Sequence, residues 1–226
     1  MGKPIKLLNS PEHNHFNEVA DLGVAIRTIG GARQIHIGLL YKTENTEALV
    51  LNLRAHLDLR NEKPTSHYRW IQVELHEINR RMLVGLCRLI AEKSKTVPFG
   101  FTYNGLYFTQ AGAYITRDLG HGLTCGTFVM AVFATYNIPL LKIGEWPPAS
   151  VEDQRWQTGQ IRIIQGQRGA FLANAIAEHL GEPRFRPEEV TAGAISADRP
   201  LGYKKAAGLG RRIVRDLLKS YDGAAP

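Results

Sequence analysis

The chain of 226 residues has few of the features that settle a protein's class at once, and each absence removes a possibility. Cysteine occurs only as Cys87 and Cys125, and no Cys-x-x-Cys is present. Two thiols in a chain read as lacking an export signal suit a reducing compartment better than a disulfide framework. The ligand pattern of a zinc cluster is missing as well: His13 and His15 stand in a polar N-terminal stretch and the other histidines are far apart in the chain. We expect neither a metal nor a cofactor. Long hydrophobic runs are also lacking. Phe128 to Ala134 is well short of a bilayer span, and the opening MGKPIKLLNSPEHNHF has no continuous apolar region of the signal-peptide kind. The expectation is a soluble, non-exported, cytoplasmic protein without a transmembrane segment. Gly2 invites N-myristoylation, but Lys6 stands where that motif requires Ser or Thr.

No repeat, low-complexity tract or long linker interrupts the chain. Lys and Arg outnumber Asp and Glu by 28 to 21, a net charge of +7 that favours anionic partners in general. The basic residues are nevertheless scattered, apart from Lys204-Lys205 and Arg211-Arg212, which fit a solvated helix face. With no RNA-binding signature and no zinc-finger spacing, the sequence argues against a nucleic-acid partner. It says nothing about oligomeric state.

What is present is an ordinary globular composition, 44% hydrophobic, in a chain long enough for one substantial core. "RQIHIGLLYK" and "EALVLNLRAHLDLR" alternate apolar with other residues, placing Ile35, Ile37, Leu39 and Tyr41 on one face and Leu49, Leu51 and Leu53 on another. Joined by the polar "TENT", they predict an antiparallel hairpin. The stretch "YRWIQVELHEINRRMLVGLCRLIAEKSK" carries Ile71, Leu75, Ile78, Met82, Leu86, Leu89 and Ile90 at helical spacing and predicts one long amphipathic helix against the sheet. Cys87 falls within it as a core residue. A loop-rich stretch from Thr96 to Thr124 follows, then a buried helix from Cys125. Pro and Gly cluster at "GEWPPAS", the best internal boundary, and at "GEPRFRPEE". Beyond the first cluster we expect a polar segment with Trp156, a helix near 168 to 180 and a terminal helix near 205 to 221. The whole reads as one α+β domain over 1–226: an antiparallel sheet packed on a Cys-bearing helix (22–145), with a mostly helical extension (146–226).

Cys125 reads in two ways. Cysteine is among the most buried residue types, so one at the head of an apolar helix is by default a core residue. Gly120, Gly122, Thr124 and Thr127, however, place it in the first turn behind a tight approach and a threonine cap. There the helix dipole and unpaired N–H groups favour a thiolate, and the same N–H groups can hold an oxyanion. His36 on the first hairpin strand is the preferred base, with His121 in the preceding loop as the alternative. On the returning strand Asn52, Arg54, His56 and Asp58 share a face, so Asn52 or His56 can orient the His36 ring. His67, His76 and His179 need only solvated roles.

The order of these parts resembles the circularly permuted papain-like cysteine hydrolases, the NlpC-type group that includes lecithin retinol acyltransferase-like enzymes and permuted papain-fold isopeptidases. "HIGLLY" resembles the family's histidine strand, "VLNL" the strand with the polar third residue, and "TCGTFV" the cysteine motif; together they span about residues 30 to 140. The resemblance implies a permuted papain-like fold with Cys125 as nucleophile, His36 as base and Asn52 or His56 as third residue. It further implies a peptidase, amidase or acyltransferase acting on a peptide, isopeptide or acyl-ester substrate through a thioester acyl-enzyme. Thr124 departs from the Asn that many relatives carry before the cysteine. The alternative is a binding or regulatory module that keeps the scaffold without turnover, its basic C-terminal extension docking an anionic partner.

Overall fold

A computed structural model describes residues 8–12, 15–30, 34–44 and 46–222. Gly2, Lys6, His13, Arg33 and Asn45 lie outside the described residues. The fold is mixed α+β. Five strands, β1 (Leu22–Ile29), β2 (Gln34–Tyr41), β3 (Leu49–Ala55), β4 (Asp58–Glu62) and β5 (Arg69–Gln72), form one antiparallel sheet in the order β4-β3-β2-β1-β5. Helices α1 (Glu77–Lys93), α2 (Cys125–Ala134), α3 (Val151–Arg168), α4 (Ala170–Ala177), α5 (Pro187–Ala194) and α6 (Tyr203–Asp222) follow it. Among the described residues no helix is long and apolar enough to cross a membrane.

The predicted hairpin corresponds to β2 and β3, with Leu39 opposite Leu51 and Tyr41 opposite Leu49. Ile37, Leu39, Tyr41, Leu51 and Leu53 enter the main core, as their alternation requires. Three features differ from the sequence expectation. First, β1 has no polar–apolar alternation to reveal it: Val24 and Ile26 face the main core while Ala25 faces a second one, so the strand is buried on both sides. Second, the stretch after Glu47 is two strands, because the chain turns at Leu57 in a left-handed conformation (φ 59°) and comes back as β4. Third, the long predicted helix is shorter. Trp70 and Ile71 pair with Ala25 and Val24 as β5, and α1 begins only at Glu77, where the His76 imidazole caps it by accepting the Ile78 N–H at 3.4 Å.

Docking on the sheet also fixes the phase of α1. Leu83, Val84, Leu86, Cys87 and Ile90 are buried, whereas Ile78 and Met82, expected on that face, are 63% and 41% exposed. Cys87 is fully buried, and burial pushes its thiol pKa far up, in keeping with a core residue.

The hydrophobic character of α2 has a simple packing reason. It lies against β2 and β3 on one side and α5 on another, with Phe128, Val129, Ala131, Val132 and Phe133 all fully buried. Each large side chain so removed from water contributes roughly 1.5–3 kcal/mol, so the position of Cys125 is tied to the stability of the whole core. The segment read as merely polar is α3. Its start is fixed by Ser150, whose Oγ accepts the Asp153 N–H at 3.2 Å, and by the Asp153 carboxylate, which accepts the Ser150 N–H at 3.3 Å. The helix expected near 168 to 180 is α4, separated from α3 by Gly169 at φ 89°. α5 starts on Pro187, where a missing N–H costs nothing. The "GEWPPAS" stretch is packed in place: Trp146 is buried, its ring 5.3 Å from both Phe185 and Tyr203.

Candidate functional site

The site is assembled where the first turn of α2 meets β2. Thr124 caps α2: its Oγ1 accepts the Thr127 N–H at 3.2 Å, and its own N–H donates to Thr127 Oγ1 at 2.8 Å. Phe128 N–H is taken by the Thr124 carbonyl at 2.8 Å. The amides of Cys125 and Gly126 are therefore the two donors of this turn that have no intrahelical partner. The chain enters through Gly122, which passes so close to the Pro98 and Phe99 backbone that no side chain fits, and Leu123 N–H then bonds the Pro98 carbonyl at 2.8 Å.

His36 sits on β2 opposite Arg27 of β1, and it is buried. Its Nε2 lies 3.0 Å from Oδ1 of Asn52, a fully buried residue of β3. An amide oxygen only accepts, so Nε2 carries the proton and donates, which leaves the Nδ1 lone pair as the ring's basic site. Gly38 makes this pairing possible. A Cβ there would stand 2.6 Å from the Asn52 Cβ and 2.9 Å from the Leu51 carbonyl oxygen, in the space Asn52 uses to reach the imidazole.

Both titrating groups are held neutral. Burial pushes His36 down to about 4, with the Asn52 hydrogen bond opposing that shift and the Arg27 and Arg54 charges adding to it. Cys125 is half-buried, and burial raises its thiol pKa; the Ile37 and Gly126 backbone amides beside the sulfur pull the other way, as does Arg184. Here the structure departs from the thiolate expected at the helix N-terminus. Desolvation outweighs the amides and the dipole, so Cys125 rests as a thiol and His36 as a neutral imidazole. By strand alternation His36 and Asn52 share the face of Leu40 and Val50, that of the second core, whereas Cys125 packs against the main core, and among the described residues no hydrogen bond joins Cys125 to His36.

The other candidates sit elsewhere. His56 is buried in the β3–β4 turn, past a register irregularity between Leu53 and Ala55, and its Nδ1 accepts the Phe99 N–H at 3.2 Å. Asn52, not His56, is bonded to His36. His121 turns to His179, with ring centroids 4.5 Å apart, and its Nδ1 is buried without a partner among the described residues. His76 caps α1, and the His67 carbonyl accepts the Tyr221 hydroxyl at 2.7 Å.

Cys125 lines a cleft of about 430 Å³, including its open mouth, together with Gln34, Ile35, Phe101, Trp156, Arg184 and Phe185. His36 is not among the lining residues; Gln34 and Ile35, the two before it on β2, are. The far wall comes from α3 and from the loop before α5, which the sequence reading did not connect with Cys125. The available signal was an aromatic and arginine-rich stretch, "PRFRP", inside a Pro-rich turn. Chemically, the arrangement offers a thiol, a neutral imidazole with a defined tautomer and two open backbone donors. Among the described residues no group of three or more His, Cys, Asp or Glu side chains is placed to hold a metal ion. Comparison of the chain with protein-family models, with curated proteins and with solved structures finds no match in any of the three.

Proposed function

We propose that the protein is a cysteine-dependent hydrolase or acyltransferase of permuted papain-like build, with Cys125 as nucleophile, His36 as base and Asn52 orienting the base. The observation that carries this reading is the 3.0 Å contact from His36 Nε2 to Asn52 Oδ1, which leaves Nδ1 free on the strand whose next residue, Ile37, presents its amide to the Cys125 sulfur. Nδ1 takes the thiol proton as the sulfur attacks an amide or ester carbonyl carbon. The carbonyl π electrons move to oxygen, where the Cys125 and Gly126 N–H groups receive the charge. Collapse breaks the bond to the leaving amine or alcohol, which departs with the proton held by His36. The thioester then passes its acyl group to water or to another acceptor, His36 again removing the proton.

A neutral thiol and a neutral imidazole at rest fit this sequence, since the base is needed only as attack proceeds. The same neutrality favours a second reading, a papain-like binding module without turnover. Iodoacetamide labelling followed by peptide mass mapping separates the two. The enzyme reading expects Cys125 to be alkylated and Cys87 spared, with His36→Ala slowing Cys125 by about tenfold to a hundredfold while the fold is kept. If Cys125 in the wild-type chain alkylates no faster than in His36→Ala, the binding module replaces it.

A further inference from the structure

The cleft wall opposite Cys125 carries a fixed, partly unspent guanidinium. Arg184 Nη1 is held by Asp153 Oδ1 at 3.2 Å, and its guanidinium lies over the Trp156 ring at 3.9 Å to the centroid. Asp153 is itself fixed: its Oδ2 accepts the Ser150 hydroxyl at 2.6 Å, and its Oδ1 also accepts Arg186 Nη2 at 3.0 Å. Two guanidinium groups thus share one Asp153 oxygen; Arg186 has a second carboxylate, Glu152, at 3.9 Å, whereas Arg184 has Asp153 alone. Among the described residues Arg184 Nε and Nη2 have no hydrogen-bond partner, and no carboxylate other than Asp153 lies within 4 Å of the group. The Arg184 side chain keeps 17% of its surface exposed, so those donors are not sealed off.

A second, independent feature stands beside it. The indole N–H of Trp156, another residue of the same cleft, is buried without a partner among the described residues. The neighbouring Gln157 side chain is engaged elsewhere: it donates to the Glu182 carbonyl at 2.9 Å and accepts from Gly181 N–H at 3.0 Å. The wall therefore presents the open Arg184 donors to the cleft, with an unsatisfied indole N–H behind them, and the Trp156 ring braces the guanidinium in place.

We infer that Arg184, braced by Asp153 and Trp156, binds a carboxylate on the substrate, so that the preferred substrates are amides or peptides bearing an acidic group close to the carbonyl presented to Cys125. This rests on the enzyme reading for its catalytic meaning, although the anion site itself does not require turnover. Arg184 is a specificity residue: its planar fork suits bidentate carboxylate recognition, which a lysine ammonium reproduces poorly.

The test uses full-length Cys125→Ala protein, which cannot turn over, and an isosteric ligand pair: N-acetyl-glutamyl-N-methylamide and N-acetyl-glutaminyl-N-methylamide. The Trp156 indole N–H resonance, assigned with Trp156→Phe, is followed by NMR as each is added. The acid is expected to shift it saturably and to bind at least about tenfold more tightly than the amide, as loss of a charge-assisted pair implies. Arg184→Gln is expected to abolish that preference with the fold unchanged, and Arg184→Lys to recover only part of it. Equal binding of acid and amide, or a preference that survives Arg184→Gln, overturns the carboxylate site whatever Cys125 does. A preference seen together with a Cys125 that never forms an acyl-enzyme leaves the site standing and removes the catalytic reading.

Discussion

His36 Nε2 and Asn52 Oδ1 lie 3.0 Å apart between adjacent strands, both residues out of contact with bulk water. A single hydrogen bond thereby fixes both the tautomer and the tilt of the imidazole. Asn52→Ala is expected to leave the Nε2–H without an acceptor inside the protein, lowering stability by about 1–3 kcal/mol. It should also slow acylation at Cys125, because the free ring no longer holds Nδ1 basic. Urea midpoints report the first effect, and the acylation rate at saturating denaturant-free conditions reports the second.

The depressed basicity of His36 sets a pH signature. Its folded value of about 4 lies below the unfolded 6.5, so between these the unfolded chain binds the extra proton. Stability from this group is complete above pH 6.5 and falls by roughly 3 kcal/mol as pH drops to 4. Because Glu189, buried and pushed up to about 7, contributes with the opposite sign, the comparison is made against a variant. The stability difference between wild type and His36→Gln is expected to fall by roughly 3 kcal/mol as pH drops from 6.5 to 4, measured by urea unfolding at several pH values.

Gly38 is required by its neighbour rather than by its own backbone. In Gly38→Ala the new methyl meets Asn52 Cβ at 2.6 Å and the Leu51 carbonyl at 2.9 Å. The expected outcome is about 1–3 kcal/mol of destabilisation from overpacking, with loss of the His36–Asn52 pairing visible as a further fall in the His36 pKa by NMR, since that hydrogen bond holds the value up. A freely tolerated alanine with an unchanged imidazole contradicts the packing argument.

Thr124 holds the first turn on which Cys125 sits. Thr124→Ala should cost about 1 kcal/mol, and Thr124→Ser should recover most of it because the hydroxyl that accepts the Thr127 N–H is retained. Thermal unfolding of the two variants side by side distinguishes the cap from a mere volume effect.

The β2–β3 hairpin and the buried α2 were legible because each has one dominant pattern, period-two alternation in "IHIGLLY" and an unbroken apolar run after Cys125. β1 was not, because burial on both faces erases alternation, and Gly23, Ala25 and Thr28 dilute what apolar signal is left. The start of α1 was misread for a different reason: Ile71 and Leu75 fall at helical spacing by coincidence, while pairing of Trp70 and Ile71 with β1 decides the conformation. Within the site, His36 and Asn52 could be named from strand position, since two residues two apart across a hairpin have few alternatives. The choice between Asn52 and His56 depended on the turn at Leu57, which nothing in the leucine-rich pattern announces. Trp156 and Arg184 were invisible as partners of Cys125 because their approach is set by the packing of α3 and α5, a long-range contact with no local signature.

The most direct measurement is acyl-enzyme formation from 4-nitrophenyl acetate, followed by intact mass and by mapping of the acetylated residue. The account predicts rapid acetylation at Cys125 alone, none in Cys125→Ala, and a rate in His36→Ala lower by about a hundredfold with an unchanged circular dichroism spectrum. Acetylation of His36→Ala at the wild-type rate, or a wild-type protein whose Cys125 stays unmodified, contradicts it.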